Sequence, residues 1–501
     1  MLAGIWCEVL GLERVGVHDN FFELGGDSIL SIQIVARANA AGLGLTPRLL
    51  FQHQTVAGLA AVAGTRREVA AEQGPVAGEV PLTPIQRWFL ERDLPEPHHF
   101  NQSALLAADG TEPELVEKAL AALIDHHDAL RLRYARRADG WTQYNAPAET
   151  NDWFSVIDLS GREHDLEATC AELQASLDLA SGPLVRACWL DLGGGRARLF
   201  FCIHHLAVDA VSWRILLEDL DAAYGQLSRG EAVRLAPKTT SFKQWAERLV
   251  AYASSPEALA ELDYWSEQVA AVAELPVDFE RGPNDVASTE SVTVSLTEAE
   301  TDSLLHEVPA AYRTQVNDVL LAALARAVSS WTGSESVTVD LEGHGREDLF
   351  DDVDLTRTVG WFTSLFPVAL RADAAEPAGL LKAVKEQLRA LPRRGIGYGV
   401  LAYLRADARL ADPAQLSFNY LGRVGGDATT ARFSPAPGAT GPEHASSGAR
   451  VHRVEVNGSV SGGSLHMTWT YSRNRHERAT IEKVADDFVS GLRELVAHCR
   501  G

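Results

Sequence analysis

Cysteine is scarce in this sequence, and no two cysteines stand at a spacing typical of a disulfide framework. The five cysteines among 501 residues are scattered and odd in number. This usage is typical of a reduced, cytoplasmic protein rather than of a small secreted domain. Ligand spacings such as His-x-x-x-His or Cys-x-x-Cys are also missing. We therefore predict no metal site.

Long apolar runs and an excess of basic charge are absent as well. The most apolar helix-like stretch, Val319–Val328, is interrupted by Arg326 and is shorter than the roughly 20 residues that a membrane span needs. The start has no basic segment followed by a long apolar one, so no signal peptide is expected. The 68 acidic residues outnumber the 45 basic ones, for a net charge of -23. Nucleic acid and anionic membranes are therefore poor candidate partners.

Length and composition predict a globular protein of several lobes. At roughly 150 residues per domain, the chain has room for about three lobes. Hydrophobic residues make up 46% and charged residues 23%, as in ordinary globular proteins. After residue 80 short apolar runs alternate with helical patterns, and no residue-level repeat is visible. The first residues read as part of a helix, which is expected of a fragment of a longer chain.

The segment that organises the chain joins a buried strand to a helix. The run Leu199–Ile203 is short and rich in β-formers, which predicts a buried strand. Apolar residues recur at helical spacing from Val211 to Leu227, and His204, His205 and Asp209 lie between the two elements. Neighbouring side chains on a strand point to opposite faces, so only one histidine should face a cleft. On the residues alone, a structural histidine pair is the commoner outcome.

A second segment, Gly25-Gly26-Asp27-Ser28, lies within residues 1–68, which have the pattern of a small helical domain. Asp and Ser are both good helix caps, so spacing alone favours a loop that ends in a cap. The two glycines would also leave space for a modifying enzyme, and a helix N-terminus favours phosphate charge.

Both segments resemble motifs of the nonribosomal peptide synthetases. The longer string Asp19–Ile29 resembles the phosphopantetheine site of peptidyl carrier proteins. His-His-x-x-x-Asp, followed by Ser212-Trp213, resembles the signature of the condensation superfamily, and the order Val-Ser-Trp resembles its epimerization branch. Pro81–Phe89 resembles the opening motif of the superfamily. Four later segments match motifs of the epimerization branch, in the family's order: Glu342–Glu347, Thr356–Thr363, Gly395–Gly399 and Ser417–Gly422.

The resemblance implies a fold class and a domain order. It implies a small all-α four-helix carrier domain at residues 1–68, joined by a flexible linker at 69–80 to a large α/β domain. The large domain would consist of two chloramphenicol acetyltransferase-like lobes, 81–275 and 276–501, that form a V around an active-site tunnel. We also expect one helix over 242–269 and a mobile surface loop over 425–450.

The resemblance also implies a reaction, in which a carrier-bound L-aminoacyl or L-peptidyl thioester is epimerized at Cα to an L/D mixture. Ser28 would carry 4′-phosphopantetheine, and Asp27 resembles the carrier subtype that precedes epimerization domains. His205 and Glu342 would be the catalytic pair, one from each lobe, with the pKa of Glu342 raised by burial. Alternatives are a peptide-bond-forming condensation domain and a non-catalytic superfamily member that recruits a partner enzyme.

Further roles follow for neighbouring residues. Asn419, Tyr420 and the backbone amides near Ser212 are candidates to stabilise charge on the thioester oxygen. His204 and Asp209 are predicted to be structural, with Asp209 held by an arginine that the sequence does not identify. Ala210 stands where many relatives have Gly. The implied partners are an upstream adenylation domain, a downstream condensation domain and a phosphopantetheinyl transferase.

Overall fold

The structure, a computed structural model, describes residues 1–65, 69, 71–149, 152–272, 274–308, 312, 314–372, 376–410, 414–423 and 432–500. Within these residues a small helical domain precedes a large domain of two lobes, which confirms the predicted fold class. No helix in this part of the chain is long and apolar enough to cross a membrane.

The small domain contains four helices around its own core. The helices are α1 (Leu2–Leu10), α2 (Ser28–Ala40), α3 (Pro47–Gln52) and α4 (Val56–Val62). Strands β1 (Leu43–Gly44) and β2 (Gly64–Thr65) pair beside them. Trp6, Phe21, Ile34 and Leu50 are fully buried in this core. Asp27 begins α2 as its cap, because its Oδ1 accepts the Leu30 N–H at 2.8 Å.

The first lobe is built on a four-stranded sheet in the order β4-β9-β8-β7. Its strands are β4 (Asn101–Ala107), β7 (Phe154–Asp158), β8 (Val185–Gly193) and β9 (Arg196–His204). From Leu199 to His204 every residue of β9 is buried, which confirms the predicted buried strand. A smaller sheet, β3-β6-β5, comprises β3 (Gly78–Val80), β5 (Leu132–Arg137) and β6 (Gly140–Asn145).

Helices surround these sheets and lead to the second lobe. They are α5 (Pro84–Leu90), α6 (Pro113–His126), α7 (Leu166–Ala175), α8 (Ala210–Ser228), α9 (Phe242–Tyr252), α10 (Pro256–Leu259) and α11 (Leu262–Ala270). The expected single helix over 242–269 is therefore wrong. Ser255 caps a new helix through the Ala258 N–H at 3.1 Å, and Pro256 has no N–H to continue the preceding one.

The second lobe has a six-stranded sheet in the order β10-β15-β14-β13-β11-β12. Its strands are β10 (Thr289–Ser295), β11 (Ser336–Gly343), β12 (Ser364–Arg371), β13 (Leu416–Arg423), β14 (Val454–Ser461) and β15 (Ser464–Ser472). Its helices are α12 (Glu298–Asp302), α13 (Val316–Thr332), α14 (Pro377–Arg389), α15 (Ile396–Gly399) and α16 (Arg478–Arg500). The neighbouring strands β11 and β13 run parallel, with Leu341 opposite Phe418.

The segment 425–450 and the linker 69–80 are both predicted to be flexible, but their described residues form hydrogen bonds with the first lobe. Residues 432–450 cross this lobe, and the Asn101 N–H donates to the Glu443 carbonyl at 2.9 Å. The mobile-loop prediction is therefore wrong for 432–450, and residues 425–431 lie outside the described part. In the predicted linker, Val76 is buried and its N–H donates to Asp128 Oδ1 at 3.0 Å. Linker residue 70 is not described, and the domain boundaries stay predictions.

Candidate active site

The two histidines lie where β9 ends and α8 begins, as the periodicity predicts. His204 is the last residue of β9, and His205 starts one turn of 3₁₀-helix that ends at Ala207. Asp209 then caps α8, because its Oδ1 accepts the Ser212 N–H at 2.7 Å. A rigid strand and a capped helix therefore fix the positions of these side chains.

His204 is fully buried and both of its ring nitrogens have partners. Its Nε2–H donates to the Pro97 carbonyl at 2.8 Å, and its Nδ1 accepts the Leu206 N–H at 3.1 Å. Burial lowers the pKa of His204 to about 3. The ring is thus neutral at physiological pH, and both of its nitrogens are bonded to the backbone.

His205 is only partly buried and lies between two aromatic rings. Its ring stacks on Phe100 with centroids 5.5 Å apart, and the Trp361 ring lies 4.2 Å away. The Nδ1–H donates to the Val208 carbonyl at 2.9 Å, which leaves the lone pair on Nε2. Desolvation lowers the pKa of His205. The residue is therefore a neutral base whose reactive atom is Nε2.

The arginine that holds Asp209 is Arg346, from the opposite lobe. Its Nη2 donates to both carboxylate oxygens of Asp209, at 2.9 and 3.1 Å, and both side chains are buried. Its Nη1 donates to the carbonyls of Thr358 and Leu355 at 2.6 and 3.1 Å. The Phe362 N–H also donates to Asp209, at 3.2 Å. Asp209 thus joins the two lobes at the start of α8.

The contacts of Ser212 do not support the predicted role of this residue at a thioester oxygen. The buried hydroxyl donates to the Gly360 carbonyl at 2.9 Å and accepts from the Gly360 N–H and Arg346 Nη2 at 3.1 and 3.0 Å. The Ser212 N–H donates to Asp209 Oδ1 and is not available to a substrate. A helix leaves the N–H groups of its first turn without intrahelical acceptors, and here those of Ala210 and Val211 remain for other partners.

Glu342 lies at the end of β11 beside Asn419 of β13. The parallel pairing of these strands places the Asn419 Nδ2 3.0 Å from Glu342 Oε2, to which it donates. Glu342 is exposed to solvent in a cavity rather than buried as predicted, although protein lies close around the cavity. This desolvation raises the pKa of Glu342, which favours the protonated carboxyl.

A cavity of about 480 Å³ connects the small domain to Glu342. Of the predicted site residues it is lined by Ser28, Asp209, Glu342, Asn419 and Tyr420. Ala210 and Val211, at the start of α8, line it too. His204, His205 and Ser212 are not among the described residues that line it. The Trp361 ring, 4.2 Å from the ring of His205, lines a neighbouring small pocket, and Thr363 lines both spaces.

The small domain contacts the large one around Ser28. The Arg394 guanidinium lies 3.7 Å over the ring of Phe51, and the Arg48 N–H donates to Asp348 Oδ2 at 3.1 Å. Ile32, from the helix that Ser28 begins, is buried in the core of the large domain. These contacts hold Ser28 at the mouth of the cavity.

The local structure fits a phosphopantetheine attachment site at Ser28. A Cβ at position 26, two residues before Ser28, would lie 2.4 Å from the Phe21 ring, so only glycine fits there. Ser28 is the first residue of a 13-residue helix, whose positive end favours a phosphodiester. The cationic side chain of Arg394 lines the same cavity. Sequence reasoning missed Arg394, as it missed Arg346.

Two family models match the chain. One, described as a phosphopantetheine attachment site, covers residues 2–63, and the other, described as a condensation domain, covers residues 76–501.

Curated relatives are much longer than this chain. The chondramide synthase of Chondromyces crocatus is 49% identical over 514 residues, which cover 99% of this chain and 13% of the relative. Tyrocidine synthase 2 of Brevibacillus parabrevis is 40% identical over 516 residues, which cover 100% of this chain and 14% of the relative. The chain thus corresponds to a small part of each synthase.

Solved structures of the same fold include an epimerization domain. The epimerization domain from the third module of tyrocidine synthetase B has a TM-score of 0.79 and 38% identity, covering 86% of this chain and 99% of that one. The condensation domain of the Monacolin K polyketide synthase has a TM-score of 0.69 at 17% identity, a likeness of fold alone. The chain therefore belongs to the condensation-domain family of the nonribosomal peptide synthetases, with a phosphopantetheine carrier domain preceding a domain similar to an epimerization domain.

Proposed function

We propose that the large domain epimerizes the Cα of an L-aminoacyl or L-peptidyl thioester tethered to Ser28 of the same chain, yielding an L/D mixture. The observation that carries this proposal is the cavity shared by Ser28 and Glu342. It gives a substrate on Ser28 a path to an acidic group of raised pKa. The similarity to a solved epimerization domain, at 38% identity, supports the same reaction.

Inversion requires a proton to leave one face of Cα and another to arrive on the opposite face. A single base would mostly return the proton to the face from which it came. His205 and Glu342 belong to different lobes and fulfil the two roles: the neutral Nε2 of His205 accepts a proton, and the protonated carboxyl of Glu342 donates one. In the reverse direction the two roles exchange. Asn419, whose amide donates to Glu342, orients that carboxyl.

Charge develops on the thioester oxygen as the α-proton leaves. Ala210 and Val211 line the cavity, and their N–H groups lie at the positive end of the 19-residue α8. They are candidate donors for this charge, and Tyr420 lines the same space. Ser212 serves instead to hold the two lobes together.

Phosphopantetheine supplies the thiol that carries the substrate and activates its α-proton as a thioester. The start of α2 and Arg394 would hold its phosphodiester, and the walls of the cavity would hold the arm. We further propose that an upstream adenylation domain supplies the amino acid, that a phosphopantetheinyl transferase modifies Ser28, and that a downstream condensation domain selects the D product.

The experiment compares three variants of the full chain, each loaded on Ser28 with an L- or a D-aminoacyl pantetheine. We expect His205→Ala and Glu342→Gln to lose inversion from both starting enantiomers. The matched control is Glu347→Gln, which changes another carboxylate that lines the same cavity and should still invert. Chiral analysis after hydrolysis measures the product.

Inversion by Glu342→Gln at the rate of the unchanged protein would contradict the two-group mechanism. Peptide-bond formation with a free aminoacyl acceptor, without inversion, would favour a condensation domain. The absence of both reactions would favour a domain that only recruits a partner.

A further inference from the structure

Gln102, on β4, lies beside the lone pair of His205. Strand β4 pairs with β9 so that Gln102 is opposite Ile203. The Gln102 Nε2 lies 3.0 Å from the Nε2 of His205, and the Trp213 Nε1–H donates to Gln102 Oε1 at 2.9 Å. The three side chains form one hydrogen-bonded chain that runs from the first turn of α8 to the base of the proposed reaction.

The indole fixes which way the Gln102 amide points. An indole N–H can only donate, so the atom that faces Trp213 must be the amide oxygen. The amide NH₂ then faces His205, where it can only donate to a nitrogen lone pair. The opposite edge of the imidazole donates its Nδ1–H to the Val208 carbonyl at 2.9 Å. Both edges of the ring therefore require the neutral imidazole with its proton on Nδ1.

We propose that Gln102, oriented by Trp213, is a positioning residue that keeps His205 neutral with its lone pair on Nε2. Protonation at Nε2 would set an N–H against the NH₂ of Gln102, a contact between two donors. The inference rests on the proposed function in that it takes His205 to be the base. It goes further by assigning the protonation state of that base to a glutamine and a tryptophan that do not take the proton.

Charged and titratable groups around His205 act in addition to Gln102. Asp209, one turn along the chain, favours the protonated ring, whereas burial opposes it. His444, from the segment that crosses the first lobe, also stacks on Phe100, with ring centroids 4.4 Å apart, and burial lowers its pKa to about 4. His204, on the same strand, is neutral for the same reason. Within the described ranges, only Gln102 bonds directly to the Nε2 of His205.

The test changes the amide and its support separately in the full chain. Gln102→Glu places an acceptor beside Nε2 and should raise the pKa of His205 by about 1 to 3 units. Trp213→Phe removes the indole N–H, so the amide can turn its oxygen toward Nε2, and we expect a smaller rise in the same direction. The matched control is Trp189→Phe, which removes an indole N–H that donates to Thr111 Oγ1 at 3.1 Å elsewhere in the lobe.

The first readout is nitrogen NMR of labelled histidine in the protein with unmodified Ser28, with His205 assigned by its loss in His205→Ala. We expect the neutral Nδ1–H form at pH 7 in the unchanged protein and in Trp189→Phe. The midpoint of the pH titration of the His205 signal should move to higher pH in Trp213→Phe and further in Gln102→Glu. The signal of His204 should stay neutral in all of them, as an internal control for folding. An unchanged His205 signal in Gln102→Glu would overturn the inference.

The second readout is the pH profile of deuterium exchange at the α-carbon of the loaded substrate. A base works only when deprotonated, so a raised pKa moves the acid limb of the profile to higher pH. Gln102→Glu should move it upward by the same number of pH units as the NMR titration. A shifted His205 signal with an unmoved acid limb would keep the assignment of Gln102 but reject His205 as the base, which separates this inference from the proposed function.

Discussion

The buried ion pair between Asp209 and Arg346 makes the strongest prediction about stability. It connects Asp209, the cap of α8 in one lobe, to Arg346, which follows β11 in the other, and the two side chains are 7% and 2% exposed. Replacing one partner of a buried pair leaves an uncompensated charge, which typically costs about 3 to 5 kcal/mol. We therefore expect Arg346→Met to lower the free energy of unfolding of the large domain by about 3 kcal/mol or more.

Asp209→Asn is the complementary change. Asn also caps helices well, so the hydrogen bond to the Ser212 N–H is retained and the loss reports mainly on the missing charge. We expect about 3 kcal/mol here as well. The double variant should lose less than the sum of the two single losses, because it leaves neither charge unpaired, and the difference should exceed about 1 kcal/mol.

Urea unfolding followed by tryptophan fluorescence measures these differences as shifts of the midpoint at constant slope. The matched control is Arg248→Met, which removes an exposed pair with Asp352 at 2.9 Å. Exposed pairs contribute at most about 1 kcal/mol. Losses in Arg346→Met no larger than in this control, or strictly additive losses in the double variant, would refute the reasoning.

Three further predictions concern pH, docking and backbone geometry. Burial raises the pKa of Asp318 from 3.8 to about 6, so the folded state loses stability as the pH rises through this range. Asp318→Asn should therefore raise the free energy of unfolding at pH 8 but not at pH 4, by up to about 3 kcal/mol, measured by urea unfolding. Arg394→Gln removes the cation–π contact with Phe51, worth about 0.5 to 2 kcal/mol, and should release the carrier domain more often, seen as sharper carrier signals in NMR. Gly345→Ala should prevent correct folding of the site, seen by thermal unfolding, because its Cβ would lie 1.6 Å from the Phe362 carbonyl oxygen.

Two of these have a control variant. Gly333 also has a positive φ, of 70°, but no atom within 4 Å of an added Cβ, so Gly333→Ala isolates conformational strain of about 1 kcal/mol. Equal losses in the two glycine variants would contradict the steric argument. Arg405→Gln, at an exposed arginine bound only weakly to Asp407, should leave the carrier signals unchanged. A pH-independent effect of Asp318→Asn would contradict the raised pKa.

Local pattern was enough to predict the elements that carry the site. Residues 199–203 are apolar because β9 is buried on both faces, and the helical period from Val211 predicts α8. The histidines therefore appear where the sequence places them. The spacing of Asp209 and Ser212 is also typical of a helix cap, and this signal indicates that the Ser212 N–H is already bonded. The same spacing therefore favours the N–H groups of Ala210 and Val211, rather than that of Ser212, as oxyanion donors.

Contacts between distant segments could not be read from local pattern. Arg346 is 137 residues from Asp209, and only the meeting of the two lobes joins them. Asn419 reaches Glu342 because β11 and β13 are parallel neighbours, a pairing that no period in the sequence specifies. Gln102 lies beside His205 because of the register between β4 and β9. Residues 432–450 resemble a loop in composition, but they lie along the edge of β4, where the N–H groups of Asn101 and Ala107 donate to the carbonyls of Glu443 and Ser434.

We propose that this chain inverts the α-carbon of a substrate carried on its own Ser28. The most direct measurement loads Ser28 enzymatically with L-aminoacyl and L-dipeptidyl pantetheine, incubates the protein in deuterated water, and follows α-deuterium and the D isomer after hydrolysis. We expect deuterium gain and D product to appear together in the unchanged protein, and the D product to disappear in Glu342→Gln. An L substrate that keeps its α-proton and its configuration in every loaded form would contradict it.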